Sequence, residues 1–360
     1  MRNLKSFVNG QWVEGLAPFT TLHNAVTGEP CGQASINGID LGAALDYART
    51  TGGHNLRVMT FEQRGQLLKQ MSEVIHGARD ELIALAQENS GNTRGDAKFD
   101  IDGATGTLSY YGKMGQKLGA ETVLNDGATI QLTRNPRWVG QHLYTPLRGA
   151  AIHINAFNFP IWGMLEKIAV NLMAGVPAIV KPSEYTCYLT EVMVKDIIAS
   201  QILPEGSLQL VCGLGRGIID HVDARDTVTF TGSAATGKIL KGLPHITDRS
   251  VAFNLEADSL NASILGEHAT PDTEEFDLFV KECVKEITIK AGQKCTAVRR
   301  IIVPEKLLDE VQNAISAKLE KTKIGDPSIE GVRMGALATK LQVERVKESV
   351  LELEKSQKIV

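Results

Sequence analysis

No excess of either sign of charge marks this sequence. Its 38 Lys and Arg residues stand against 42 Asp and Glu, a formal net charge of −4. That balance gives no electrostatic footprint for nucleic acid or for an anionic membrane, and neither is expected as a partner. Long hydrophobic runs are missing too. The most apolar stretch, Ile168–Val180, is short and is broken by Asn171 and Pro177, whereas a membrane-spanning helix needs about 20 apolar residues. The start, MRNLKSFVNGQW, has basic residues with no apolar segment behind them, so no secretory signal is visible. Cysteine is scarce and scattered: Cys31, Cys187, Cys212, Cys283 and Cys295 form no C-x-x-C pair and no metal-ligand spacing. No metal site is expected, and the set fits a reducing, cytoplasmic setting with buried thiols and room for one that reacts. Internal repeats and low-complexity segments are absent.

What is present is an ordinary globular composition, 43% hydrophobic and 22% charged over 360 residues, enough for two or three domains or one large α/β unit. From Gly38 to Lys117 the pattern is helical, with Phe61, Leu67, Leu68, Met71 and Ile75 at spacings of three and four. Ala128–Tyr144 is rich in β-formers, and Asn135-Pro136 reads as its turn: a β-hairpin serving either as an oligomerisation arm or as a flap. From Gly149 short apolar runs (Ala150–Ile154, Ala178–Val180, Leu208–Val211, Val228–Phe230) alternate with helical segments, which predicts a parallel sheet of βαβ units. A second α/β unit begins near Val251. It contains a strand at Ala262–Leu265, a helix from Glu274 to Ala291 with Gly292 as its C-cap, and a strand at Val298–Val303.

Polar residues at the ends of these runs are the candidates for chemistry. Cys295, in Gly292-Gln-Lys-Cys-Thr296, sits in a loop between a helix and a strand. Following a helix C-terminus, its thiolate would be disfavoured by the macrodipole, so a base or a bound cofactor must activate it. Glu256 ends a strand and is either a solvated acid or a general base; composition does not separate it from Asp258. Asn158 precedes Pro160 and is either a helix N-cap or an amide donor for an oxyanion. Lys181 and Glu184 close a strand and serve either a turn or a nucleotide ribose. Gly232-Ser233-Ala-Ala-Thr-Gly237 follows a strand and opens a helix, a place suited to phosphate. It is not a P-loop, because Ile239 stands where a hydroxyl should follow the lysine. Gly213-Leu-Gly215-Arg-Gly217 is a second glycine turn.

Taken together these segments resemble the aldehyde dehydrogenase superfamily. NFP with Asn158, KPSE with Lys181 and Glu184, FTGSAATG, and GQKC with Cys295 stand in the family's order. The Glu256 segment matches E-L-G-G-K-N at its ends, Glu256 and Asn261. The resemblance implies an α/β fold: a Rossmann-like parallel-sheet NAD(P)-binding domain over residues 1–124 and 148–249, a protruding oligomerisation β-hairpin over 125–147, and a second α/β catalytic domain over 250–360. It implies Cys295 as nucleophile, Glu256 as water-activating base and Asn158 as oxyanion donor. Lys181, Ser183, Glu184, Gly213, Gly232, Ser233 and Gly237 would hold NADP or NAD. The Glu184 carboxylate suits NAD at least as well, since it repels a 2′-phosphate. HINAFNFPIWGMLEK, LEADSLN and KAGQKCTAVRRIIVP are similar to a branch that oxidises CoA-linked semialdehydes in phenylacetate or benzoate breakdown. The implied partners are an aldehyde, CoA-linked, and further copies of the chain in a homo-oligomer. The family's later E-x-F-G-P motif and closing strand have no counterpart up to Val360, so the resemblance implies an N-terminal portion, its catalytic domain truncated. The competing readings are a nucleotide-binding fragment without turnover and a dehydrogenase that acylates free CoA.

Overall fold

The computed structural model describes residues 1–215 and 217–358; Arg216, in the second glycine turn, and the last two residues lie outside them. Near the N-terminus the chain forms β1 (Ser6–Val8) and β2 (Gln11–Val13), then two strands (Thr20–His23 and Pro30–Ala34) that make a separate three-stranded sheet with Arg2–Asn3, and after them a run of helices. The two longest are α1 (Phe61–Gly77) and α2 (Arg94–Leu118). Each begins at a reciprocal cap, Thr60 with Gln63 and Thr93 with Asp96, which satisfies otherwise orphaned N–H groups. The predicted arm is a two-stranded antiparallel ribbon, β3 (Leu124–Gln131) and β4 (Val139–Tyr144), turning at Asn135. Ile130, Leu132, Trp138, Val139, Leu143 and Tyr144 are all exposed on or beside it.

Five strands then alternate with helical segments: β5 (Ala151–Ile154), α3 (Trp162–Met173), β6 (Ala178–Lys181), α4 (Cys187–Ala199), β7 (Leu208–Leu210), a 3-10 turn, β8 (Thr227–Gly232), α5 (Ala234–Lys241) and β9 (Ala252–Ala257). They lie in the order β9-β8-β5-β6-β7-β1-β2, the first five mutually parallel and the last two joining antiparallel. The apolar runs become strands because both faces are covered. Ile152, Ile179, Val180 and Leu210 are at most 1% exposed, and each such side chain contributes roughly 1.5–3 kcal/mol when buried. The chain runs from β5 outward through β6 to β7, then returns to the other side of β5 to lay down β8 and β9. The order therefore reverses between β5 and β8, and in open α/β sheets ligands bind outside the carboxyl ends at such a switch point.

The last part contains β10 (Ala262–Ile264), α6 (Glu274–Thr288) and β11 (Arg300–Ile302), with β10 and β11 paired in parallel. Thr273 caps α6 ahead of Glu274, Glu275 and Asp277, charges that favour a helix N-terminus. Phe276 and Val280 face a small core with Leu265, Leu307 and Val311, as the helical spacing predicts. The C-terminus of α6 departs from the sequence reading. The helix ends at Thr288 and not at Ala291, because Lys290 and Ala291 take left-handed backbone (φ 49° and 52°) ahead of Gly292 (φ 74°). The α6 macrodipole therefore ends well short of Cys295. No helix among the described residues is long and apolar enough to cross a membrane.

Candidate active site

The carboxyl ends of the parallel strands gather most of the candidate residues. Lys181 ends β6; it is 7% exposed, and its Nζ lies 3.8 Å from Glu184 Oε2 and donates to Pro182 O at 3.3 Å. Ser183 and Glu184 form the turn that follows, closed by Thr186 N–H donating to Ser183 O at 3.2 Å. Gly232 ends β8, Ser233 caps α5 by accepting from Thr236 N, and Glu256 lies in β9 directly opposite Thr231. Glu256 is exposed, with Thr231 Oγ1 3.5 Å from its Oε2.

Two glycines are explained by packing. A Cβ on Gly237 would stand 2.3 Å from Leu255 Cδ1, so only glycine lets α5 lie this close to the sheet. Gly213, just beyond β7, has φ +134° and would meet the Ser35 backbone at 2.9 Å.

Glu256 and Asp258, alike in the sequence, separate here. Asp258 takes left-handed backbone (φ 54°), and its Oδ2 accepts from Ala234 N–H at 3.3 Å, at the N-terminus of α5. Asn155, directly after β5 and 6% exposed, has neither side-chain polar atom hydrogen-bonded among the described residues. A buried amide with both ends unsatisfied calls for a partner, and it sits beside the switch point. Sequence reasoning missed it, although an asparagine ending an apolar strand was the available signal.

Cys295 is exposed, Cys31 is half-buried, and Cys187, Cys212 and Cys283 are buried. Burial pushes the Cys31 and Cys283 thiols up, and a hydrogen bond with Cys187 together with burial pushes Cys212 up. Cys295 is thus the accessible thiol among the described residues. Its loop is tied on several sides. Asn158 Nδ2 donates to Gln293 O at 3.0 Å; Asn261 Nδ2 donates to Cys295 O at 2.6 Å and to Ala297 O at 3.1 Å. Gln293 also donates from N and Nε2 to Lys290 O, both at 3.0 Å, and accepts from Ala338 N–H at 3.0 Å. Cys295's own N–H makes no hydrogen bond among the described residues.

Asn158 is not a helix cap. The N-terminus of α3 is capped across the chain by buried Asp100 on α2, which accepts from Ile161 N–H at 3.3 Å and Trp162 N–H at 2.7 Å. One Nδ2 hydrogen of Asn158 is held by the loop carbonyl, and the other is free to donate.

Residues 12–360 match the sequence profile of the aldehyde dehydrogenase family. The chain belongs to this family. Its members are NAD(P)-dependent oxidoreductases that act on aldehydes, and this chain is an enzyme of that class. It is 44% identical over 357 residues to the 3,4-dehydroadipyl-CoA semialdehyde dehydrogenase of Aromatoleum evansii, covering 99% of this chain and 69% of that protein. The D-glyceraldehyde dehydrogenase (NADP(+)) of Picrophilus torridus is 27% identical over 354 residues, 96% of this chain and 67% of the other. Among solved structures, succinate-semialdehyde dehydrogenase from Burkholderia pseudomallei superposes with a TM-score of 0.86 at 22% identity, over 98% of this chain and 71% of that one. The family's dinucleotide fits what this sheet offers: a switch point, an unsatisfied buried amide at Asn155, and α5 held close by Gly237.

Proposed function

We propose that this aldehyde dehydrogenase oxidises a CoA-linked aliphatic semialdehyde of aromatic (phenylacetate or benzoate) catabolism to the acid. Support for the substrate class comes from the Aromatoleum evansii relative, 44% identical across nearly the whole chain. The observation that carries the chemistry is the exposed Cys295 in a loop whose carbonyls hold Asn158 and Asn261.

Cys295 Sγ adds to the aldehyde carbon, and the resulting alkoxide is held by the second Nδ2 hydrogen of Asn158 and by the Cys295 N–H. When bound, NAD or NADP would supply the hydride acceptor by which this adduct would reach the thioester level. Glu256 then takes a proton from water, whose oxygen attacks the thioester and releases the acid and the thiolate. Lys181, Ser183, Glu184, Gly213, Gly232, Ser233 and Gly237 would hold the dinucleotide, with Asn155 added to them. In this reading residues 1–124 and 148–249 form the cofactor domain and residues 250–360 belong to the catalytic one. The exposed apolar ribbon over 125–147 joins copies into a homo-oligomer.

Stopped-flow absorbance at the nicotinamide band tests this with a CoA-linked semialdehyde. The expected result is a burst of reduced cofactor, kept in Glu256→Gln while steady-state turnover falls by about 10²–10⁴. Added free CoA leaves the wild-type rate unchanged. Turnover that requires CoA would make the enzyme an acylating one, and Glu256→Gln turnover equal to wild type would remove Glu256 from the role of base.

A further inference from the structure

Five residues before the candidate nucleophile stands a lysine that no step above uses. Lys290 is 3% exposed, in left-handed backbone, and its Nζ has no hydrogen-bond partner among the described residues. A buried ammonium without a partner is costly, so the fold must offset it. Part of the compensation is the Phe159 ring, whose centroid lies 4.7 Å from Nζ. Part is the field of Asp100 and Asp96 on α2. Lys290 also lines a cavity of about 10 Å³, together with Asn158, Gln293, Thr186, Ser90 and Asn92. That is room for a single water, with polar groups on several sides to hold it. Lys294 differs: its Nζ is taken by both Glu286 oxygens at 2.7 and 2.9 Å.

We propose that Lys290 is a positioning residue for the oxyanion step, its ammonium acting through one water in this cavity on the amide of Asn158. Nδ2 of that amide is already fixed on Gln293 O, and Oδ1 accepts no hydrogen bond among the described residues. A cation-oriented water donating to Oδ1 both fixes the amide plane and polarises it. The free Nδ2 hydrogen then becomes a stronger donor to the developing alkoxide. The inference rests on the roles proposed above for Cys295 and Asn158. It also predicts a pH limb. Burial pushes the Lys290 ammonium below the ordinary lysine range, with Asp100 and Asp96 the charged groups facing it and opposing that shift. Deprotonation should therefore slow the oxyanion step on the alkaline side.

The test is the hydride burst in wild type, Lys290→Met, Lys290→Arg, Asn158→Ala and the Lys290→Met/Asn158→Ala double variant, each followed against pH. Lys290→Met should slow the burst on the order of 10- to 100-fold, the scale of a misplaced catalytic group. Cofactor affinity and the rate of Cys295 alkylation by iodoacetamide should stay within about 3-fold of wild type, unlike the effect of a disturbed loop. In the Asn158→Ala background the same change should cost nothing further. The alkaline limb should vanish in Lys290→Met and move to higher pH in Lys290→Arg, whose guanidinium stays charged. Losses that multiply in the double variant, or a Lys290→Met burst equal to wild type, would overturn the proposal. If Lys290→Met fails to fold, Lys290→Arg and the wild-type profile decide: a wild-type burst with no alkaline limb overturns it. A wild-type protein with no burst at all overturns the reading of Cys295, and this inference falls with it.

Discussion

At the sheet end of the site, Lys181, Gly232 and Glu256 stand where parallel strands stop, each held by the ladder beneath it. At the loop end, Cys295 stands in a turn of non-repeating backbone, held by side chains from elsewhere, Asn158 and Asn261. The sheet side is a rigid platform whose residues are placed by register. The loop side is placed by long-range polar contacts and by two lysines, Lys290 over Phe159 and Lys294 over Phe99. A dehydrogenase needs both. On the reading proposed above, the dinucleotide requires a fixed cradle, whereas the thiol must be accessible and its oxyanion partner oriented to within a fraction of an ångström.

Asn158 is the seam between the two, following β5 yet bonded to the loop, so its removal should touch the chemistry and spare the platform. Asn158→Ala should lower the hydride burst by about 10²–10³, with cofactor binding, read by fluorescence titration, unchanged. A parallel loss of cofactor affinity would mean that the two sides are not separable.

The next effect falls on the platform alone. His153 in β5 is 4% exposed, its Nε2 2.8 Å from Asn171 Oδ1, and burial holds its pKa down to about 4. Above pH 6.5 the imidazole is neutral in both the native and the unfolded chain, and this stability is fully present. As pH falls from about 6.5 towards 4, the unfolded chain binds a proton that the native one refuses, and stability drops. The full loss approaches about 3 kcal/mol. Urea unfolding of wild type and His153→Gln between pH 7 and 4 should show a steeper acid loss in the wild type. Parallel curves would mean that His153 is not the group responsible. With the expected outcome the sheet loses stability on the acid side, while the oxyanion step, through Lys290, slows on the alkaline side.

The same contrast governs what was legible in the sequence. Short apolar runs became the parallel strands because burial on both faces leaves a near-continuous apolar signature. Their polar terminal residues, Asn155 excepted, could be read off as candidates for the same reason. The end of α6 could not. Lys290 and Ala291 adopt left-handed backbone with no glycine to announce it, and the helical pattern runs on through them. Nor could the cap of α3, since Asp100 lies 62 residues from Trp162 and no local rule links the two. Lysine is ordinarily an exposed residue, so only the folded chain reveals that Lys290 is buried.

Asp258 sharpens the comparison at the smallest scale. It sits on the sheet side, yet like the loop it uses left-handed backbone and a long-range contact, placing a carboxylate on Ala234 N–H at the start of α5. An anion at a helix N-terminus is worth about 0.3–1 kcal/mol, and the dinucleotide phosphates would compete for the same N–H groups. Asp258→Asn keeps a hydrogen-bonding side chain and tolerates the same backbone, but removes the resident charge. NAD(P) should then bind tighter by about 2- to 5-fold, the fold-change equivalent of that energy. The gain should shrink as salt screens it. Titration calorimetry at two ionic strengths decides the point. Unchanged or weaker binding would mean that the phosphates do not meet α5 at all, and the cofactor cradle would have to be sought elsewhere along the strand ends.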